Sequence, residues 1–188
     1  MIIGLAGKKG SGKDTIAEYL CAQYGFINYG FGDPIKEIGR IMFDFTDEQL
    51  YGNQKEILDS KWGITPRDFF QKFGTDYGQF VFPEHFPNIF QDKDKRSLWV
   101  MIFKKWYLQQ IEKNPSVKII INDVRFEHEF NCIKELGGYI FRVQRSNYSY
   151  KDIHISENEL DMKNEEEFNS IIINDGTKEE LYEKLIEI

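Results

Sequence analysis

Apolar positions follow two rhythms along the chain, and the changes between them mark out the elements. Residues 2–6 (Ile-Ile-Gly-Leu-Ala) are a short apolar run ending at a glycine, as in a parallel strand buried on both faces. From residue 13 the period lengthens. Ile16, Ala17, Leu20, Cys21 and Tyr24 share one face of a helix over 13–24 that Gly25 stops. Residues 26–31 read as a second strand. Ile35, Ile38, Ile41, Met42 and Phe45 then form a helical stripe, and Thr46-Asp-Glu-Gln49 opens a short helix with a capping box. Thr65 followed by Pro66 supplies an N-cap and a proline at the first helical position, and Gly74 is expected to end that helix. Between Asp33 and Phe90 no further strand is predicted, so 33–90 reads as a helical insertion.

The second half resumes the alternation. A helix over 97–113 carries Trp99, Ile102, Phe103 and Trp106 and closes at Asn114-Pro115. Val117–Ile121 is the most strand-like run and delivers Asn122 and Asp123 at its C-terminal edge. A helix over 127–136, a strand over 139–143, a polar stretch over 145–167, a strand over 170–173 and a final helix opened by the capping box Thr177–Glu180 complete the chain. Strands alternating with helices predict an α/β fold of three layers, a parallel sheet of about five strands with helices on both faces. Ligands of such sheets sit beyond the carboxyl ends of the strands. Residues 1–188 are expected to form a single domain, with 145–167 as a lid region.

Composition narrows the function. The net charge of -7 argues against a nucleic-acid polymer as partner, because such binding leans on clustered Lys and Arg. A small phosphorylated ligand needs only a few local cations. Cys21 and Cys132 have neither CxxC spacing nor a disulfide framework around them and read as reduced core thiols. Lys8 and Lys9 interrupt the apolar start, unlike a signal peptide, and no run approaches the ~18 apolar residues of a membrane span. A cytoplasmic protein without membrane contact is the expectation, with a homodimer left open.

Gly7-Lys-Lys-Gly10-Ser11-Gly12-Lys13-Asp14-Thr15 follows the first strand and opens the first helix. Glycines let successive backbone N–H groups face an anion, the helix dipole adds favourable potential, and a lysine supplies a point charge for β- and γ-phosphates. Gly7, Lys9, Gly10, Ser11, Gly12, Lys13, Asp14 and Thr15 are therefore the nucleotide-binding candidates. The position after the lysine holds Asp14 where Ser or Thr usually ligates magnesium, with Thr15 one place later. That displacement points away from GTPases and motor ATPases and towards small-molecule kinases, and leaves the direct magnesium ligand open.

Further stretches, in order, carry a resemblance: Phe31-Gly-Asp-Pro-Ile-Lys36, Asp47-Glu-Gln-Leu-Tyr-Gly-Asn-Gln-Lys-Glu56, Thr65-Pro-Arg-Asp-Phe-Phe-Gln71 with Gly74-Thr-Asp76, Asn122-Asp-Val-Arg-Phe126, His154-Ile-Ser-Glu157 and Asn174-Asp-Gly-Thr177. Together with the glycine loop they resemble the deoxynucleoside monophosphate kinases of phages and related viruses, nearly end to end. The resemblance implies a P-loop kinase fold with an acceptor-binding insertion and a lid, ATP and Mg²⁺ as cofactors, and a deoxynucleoside monophosphate as acceptor. It implies an acceptor site made of Asp33, Lys36, Arg67, Phe70, Gln71, Thr75, Asp76 and Arg125, with Glu157 near the lid. Asp123 would hold magnesium with Asp14, Arg125 would clamp a phosphate, and Arg145 of the lid would stabilise charge on the transferring group. Asn174, Gly176 and Thr177 would lie near the adenine.

Several residues carry a second, plainer reading. Arg67 and Gln71, four apart on one helix, also suit a solvated face, and Lys36 a surface lysine. Asp123 and Arg125 also fit a helix cap and an exposed arginine; Arg142 could be structural; Ser156–Glu159 is also a capping box; and 174–177 is also a simple turn before a helix. After Asp76, Gln79 stands where the resembling kinases tend to have an arginine, so another arginine such as Arg96 substitutes or the acceptor pocket is altered. The expected reaction is in-line transfer that needs no general base. A kinase for a non-nucleotide acceptor such as phosphomevalonate, and a nucleotide-dependent switch, are the alternatives.

Overall fold

The computed structural model describes residues 1–90, 95–146, 155 and 158–186. In chain order the elements are β1 (Ile2–Ala6), α1 (Lys13–Tyr24), β2 (Ile27–Tyr29), α2 (Asp33–Phe43), α3 (Asp47–Leu50), α4 (Pro66–Gln71), α5 (Phe82–His85), α6 (Pro87–Phe90), α7 (Leu98–Lys113), β3 (Ile119–Val124), α8 (Glu127–Glu135), β4 (Tyr139–Gln144), β5 (Ser170–Ile173) and α9 (Lys178–Ile186). They belong to two compact units, Met1–Phe31 with Lys104–Ile188, and Gly32–Phe103.

The first unit holds a five-stranded sheet of order β2-β3-β1-β4-β5, and every pairing is parallel. Period two sorts its side chains. Leu5, Ile120, Phe141 and Val143 meet Ile16, Ala17 and Leu20 of α1 and Leu181 of α9 in one core. Gly4 faces the other way, where a Cβ would come within 2.7 Å of Ile133 Cδ1, so glycine lets α8 lie close on that face. Each fully buried aliphatic side chain of this kind is worth about 1.5–3 kcal/mol.

β2 is shorter than the sequence pattern suggests. Gly25 is left-handed (φ 68) and the Phe26 amide bonds back to Leu20 O, so the chain joins the sheet only at Ile27 N, which donates to Lys118 O at 2.8 Å. β3 runs longer than expected, carrying Asn122, Asp123 and Val124 on the strand, with Val124 opposite Ala6.

The second unit is helical, around Ile35, Phe45, Leu50, Phe69 and Trp99. Gly74 does not end the helix that starts at Pro66. The chain continues from α4 into a π-helical stretch, Lys72–Val81. Glycine serves close packing here: a Cβ on Gly74 would lie 2.6 Å from Ile35 Cδ1, and Trp99 Nε1 donates to Gly74 O at 2.6 Å. Gly78 likewise lies against the Trp99 indole. Among the described residues no helix is long and apolar enough to cross a membrane.

Candidate active site

The loop between β1 and α1 is shaped by glycines that nothing else replaces. Gly7 has φ 149 and Gly12 φ 108, and a Cβ would strike the Val143 carbonyl oxygen at the first and the Asn174 amide nitrogen at the second. The loop is thereby pressed onto the ends of β4 and β5. Ser11 N donates to Lys8 O at 3.1 Å, closing the turn. Asn174 Nδ2 donates to Ser11 O at 2.8 Å from beneath, while Asn174 N donates to Gln144 O at 2.8 Å. Lys13, the first residue of α1, is buried rather than solvent-facing; its Nζ donates to Gly7 O at 2.6 Å and Lys8 O at 2.9 Å. Ser11 Oγ is buried and has no hydrogen-bond partner among the described residues. It is a hydroxyl in the cradle with bonding capacity to spare.

Against this loop lies a cavity of about 340 Å³ lined by Gly7, Lys8, Ser11, Arg125, Arg142 and Arg145. Four cationic side chains thus converge in a chain of net charge -7. Low-dielectric walls lined with one sign of charge concentrate the field on an anion. Arg145, Arg142 and Lys8 are each oriented by neighbouring groups. Arg145 Nε donates to Asn174 O at 3.1 Å. Arg142 Nη2 donates to Leu160 O and its guanidinium lies 4.2 Å from the Phe168 ring centroid. Lys8 Nζ donates to Asn158 Oδ1 at 2.8 Å and pairs with Asp161 at 2.5 Å, placing one carboxylate on the cavity wall.

The carboxyl end of β3 forms another edge of the same unit. Asn122 Nδ2 donates to Asp14 Oδ1 at 2.6 Å, and Asp123 Oδ1 accepts from Phe31 N at 2.8 Å. Glu129 Oε2 accepts from Arg125 N at 2.7 Å and Phe126 N at 3.0 Å. Burial, and after it the charge of Asp123, push the Glu129 carboxyl up to about 8 against the pull of those two amides and of Arg125. Magnesium takes hard oxygens, one or two carboxylates completed by phosphate oxygens and water, and Asp14 and Asp123 are of that donor type. Among the described residues no group of three or more His, Cys, Asp and Glu side chains is gathered to hold a metal by itself.

In the second unit, Lys36 Nζ pairs with Asp33 Oδ1 at 2.8 Å and lies 4.5 Å over the Tyr51 ring, whose hydroxyl is pushed up to about 12 by burial and then by Asp33 and Glu37. Arg67 and Gln71 share a face of α4, with Arg67 Nε donating to Glu56 Oε1 at 3.0 Å. Thr75 is buried, Phe70 and Gln71 are half-buried and Asp76 is exposed. Gln79 is fully buried; its Oε1 accepts from Arg96 Nε at 3.1 Å, its Nε2 has no partner among the described residues, and Arg96 lies 5.4 Å from the Phe80 ring centroid.

The family model described as deoxynucleotide monophosphate kinase matches residues 1–52 and 39–185. The chain belongs to that family. A protein of Acanthamoeba polyphaga mimivirus, named as a candidate deoxynucleotide monophosphate kinase, is 39% identical over 99% of this chain and 94% of its own length. The deoxynucleotide monophosphate kinase of Enterobacteria phage T4 is 23% identical over 98% of this chain and 96% of its own. The crystal structure of TT1252 from Thermus thermophilus superposes with a TM-score of 0.51 at 16% identity, covering 100% of this chain and 95% of that one, a likeness of fold alone. The resemblance read from the motifs is therefore the family itself, and the fold is the α/β P-loop kinase fold with its five-stranded parallel sheet.

Within this deoxynucleotide monophosphate kinase, Gly7, Ser11, Arg125 and Arg145 of the expected site residues line one cavity. Lys13 bonds within the loop, Lys9 and Thr15 are half-buried, and Gly10 and Asp14 are exposed. Asn174 sits under Ser11, and Gly176 and Thr177 form the exposed turn into α9, where Thr177 N donates to Glu180 Oε2 at 2.8 Å and Thr177 Oγ1 accepts from Glu180 N at 3.2 Å. Asp33, Lys36, Arg67, Phe70, Gln71, Thr75 and Asp76 all lie in the second unit. Glu157 lies outside the described residues. Sequence reading left out Lys8 and Asp161 as cavity residues and left Arg142 undecided. Arg142 could have been found from strand register, because it stands opposite Ala6 at the head of the glycine loop.

Proposed function

We propose that this family member transfers the γ-phosphoryl group of ATP to a deoxynucleoside monophosphate, giving ADP and the deoxynucleoside diphosphate. The observation that carries the reading is the cavity where the glycine loop meets Arg125, Arg142, Arg145 and Lys8, with the buried Ser11 hydroxyl beside it. Backbone amides of 7–13 and Lys13 would hold the triphosphate. Asp14 and Asp123 are the residues suited to hold Mg²⁺, which when bound neutralises phosphate charge. Arg125 and Arg145 would donate to equatorial oxygens of the transferring group, whose charge is spread over three oxygens in the transition state. The acceptor phosphate oxygen is already ionised at neutral pH, so no side chain has to remove a proton. Catalysis is then positioning plus charge stabilisation.

Arg67, with Gln71, Phe70, Thr75, Asp76, Lys36 and Asp33, is assigned to the acceptor: guanidinium to phosphate, amide to a base edge. The bond from the half-buried Arg96 to the buried Gln79 supports the reading that Arg96 supplies the guanidinium on this part of the acceptor unit. A coupled ADP-release assay with ATP and Mg²⁺ across all natural dNMPs and NMPs tests the proposal. Rapid ADP production with at least one dNMP is expected. Turnover confined to a non-nucleotide acceptor such as phosphomevalonate, or none with any acceptor, would refute it.

A further inference from the structure

We infer that Glu129 is a positioning residue whose buried carboxyl group, by accepting two consecutive backbone amides at the exit of β3, fixes where the Arg125 side chain enters the phosphate cavity. The inference rests on the role proposed above for Arg125. At Arg125 and Phe126 the sheet ladder has ended and α8 has not begun, and Glu129 receives both N–H groups in that gap. Phe126 is 4% exposed and Glu129 2%, so water does not do this work. A single oxygen, Oε2, takes both bonds at 2.7 and 3.0 Å. Two successive amides tied to one buried side chain hold the backbone at Arg125 in place.

An ordinary capping glutamate sits at the surface, where its desolvation is small. Here the group is buried and close to the negative charge of Asp123, both unfavourable to a carboxylate. The start of α8 also has other ties: Glu127 N donates to Glu159 Oε1 at 2.9 Å, and Lys163 Nζ reaches the Glu127 carboxylate at 2.7 Å. Helix initiation therefore does not depend on Glu129 alone. Placement of the one cavity arginine on this turn does. A displacement of ~1 Å at a reacting centre costs up to ~100-fold in rate.

The test is a double-mutant cycle on the full chain: Glu129→Ala, Arg125→Ala and the pair, with kcat, KM for ATP and for the dNMP, and Tm for each. Glu129→Ala should lower kcat by about 10- to 50-fold with both KM values within about 2-fold, and should cost less than about 2-fold when added to Arg125→Ala. Glu129→Gln, which keeps an acceptor oxygen as a capping box allows, should recover most of kcat. If the alanine variant does not fold, Glu129→Asp, one methylene short of both amides, replaces it in the cycle with the same expectation. Independent, multiplying losses in the double variant overturn the inference, as does wild-type kcat in Glu129→Ala. Full turnover in Arg125→Ala refutes the assignment of Arg125 itself, a different failure seen before Glu129 is touched.

Discussion

Replacing Asn174 by alanine separates two roles that its position in the chain leaves equally open. Its amide nitrogen donates at 2.8 Å to the carbonyl of Ser11, and both residues are buried. Removing the donor leaves a buried acceptor unsatisfied, at a cost of about 1–3 kcal/mol. In a chain of this size 1 kcal/mol moves Tm by about 2–4 °C, so a mid-range loss lowers Tm by roughly 4–8 °C. The functional effect follows from what the bond supports. If the glycine loop holds phosphates as proposed, Ser11 and Gly12 are its floor, and a slack floor weakens every ligand held by its phosphates. Calorimetric titration should show ATP, GTP and inorganic tripolyphosphate all weakened by a similar factor, about 10-fold for each ~1.4 kcal/mol lost from the loop. Weaker ATP binding with GTP and tripolyphosphate unchanged would mean that Asn174 reads adenine. An unchanged Tm would mean that the bond to Ser11 supports nothing.

Lys13→Ala should reduce kcat by at least about 100-fold, the scale of one lost charge-stabilising donor, while Tm stays within a few degrees; near-normal turnover in the ADP-release assay would remove Lys13 from the mechanism. Gly78→Ala adds a Cβ within 2.6 Å of the Trp99 ring and should destabilise by about 1–3 kcal/mol, read from denaturant unfolding followed by tryptophan fluorescence. Arg67→Ala should raise KM for the dNMP by about 10-fold or more with KM for ATP unchanged, and equal effects on both substrates would count against its acceptor role. The Glu129 carboxyl, raised to about 8 in the fold from an ordinary value of about 4.3, binds a proton on folding between those limits. Its contribution is therefore complete below pH ~4 and is lost as pH rises to about 8. Urea unfolding across that range in a chelating buffer should show stability falling with pH, and Glu129→Gln should flatten the slope; identical slopes in the two proteins would refute the shift.

The parts of the fold written as local rhythm were readable before the structure. The apolar run 2–6, the glycine loop and the helical stripe from Ile16 to Tyr24 each announce themselves within a dozen residues, and the capping boxes at Thr46 and Thr177 form as their spacing predicts. What was missed depends on partners distant in sequence. Gly74 looks like a helix stop because glycine favours chain reversal, but Ile35 packs where its Cβ would stand, Trp99 bonds to its carbonyl, and the helix runs on. Arg142 reads as a strand residue like its neighbours until β4 is laid beside β1. Glu129 carries the spacing of a helix cap, yet nothing local reveals its burial or its nearness to Asp123.

The contact between Asn174 and Ser11 joins residues 163 positions apart. Its consequence belongs to biosynthesis. The glycine loop is made long before the side chain that props it and the carbonyl that orients Arg145, both supplied by Asn174. A stretch of chain lacking β5 and the following turn carries the whole glycine-loop sequence without the side chain that props it, so on the function proposed above the grip on a nucleotide would be completed only once Asn174 is in place.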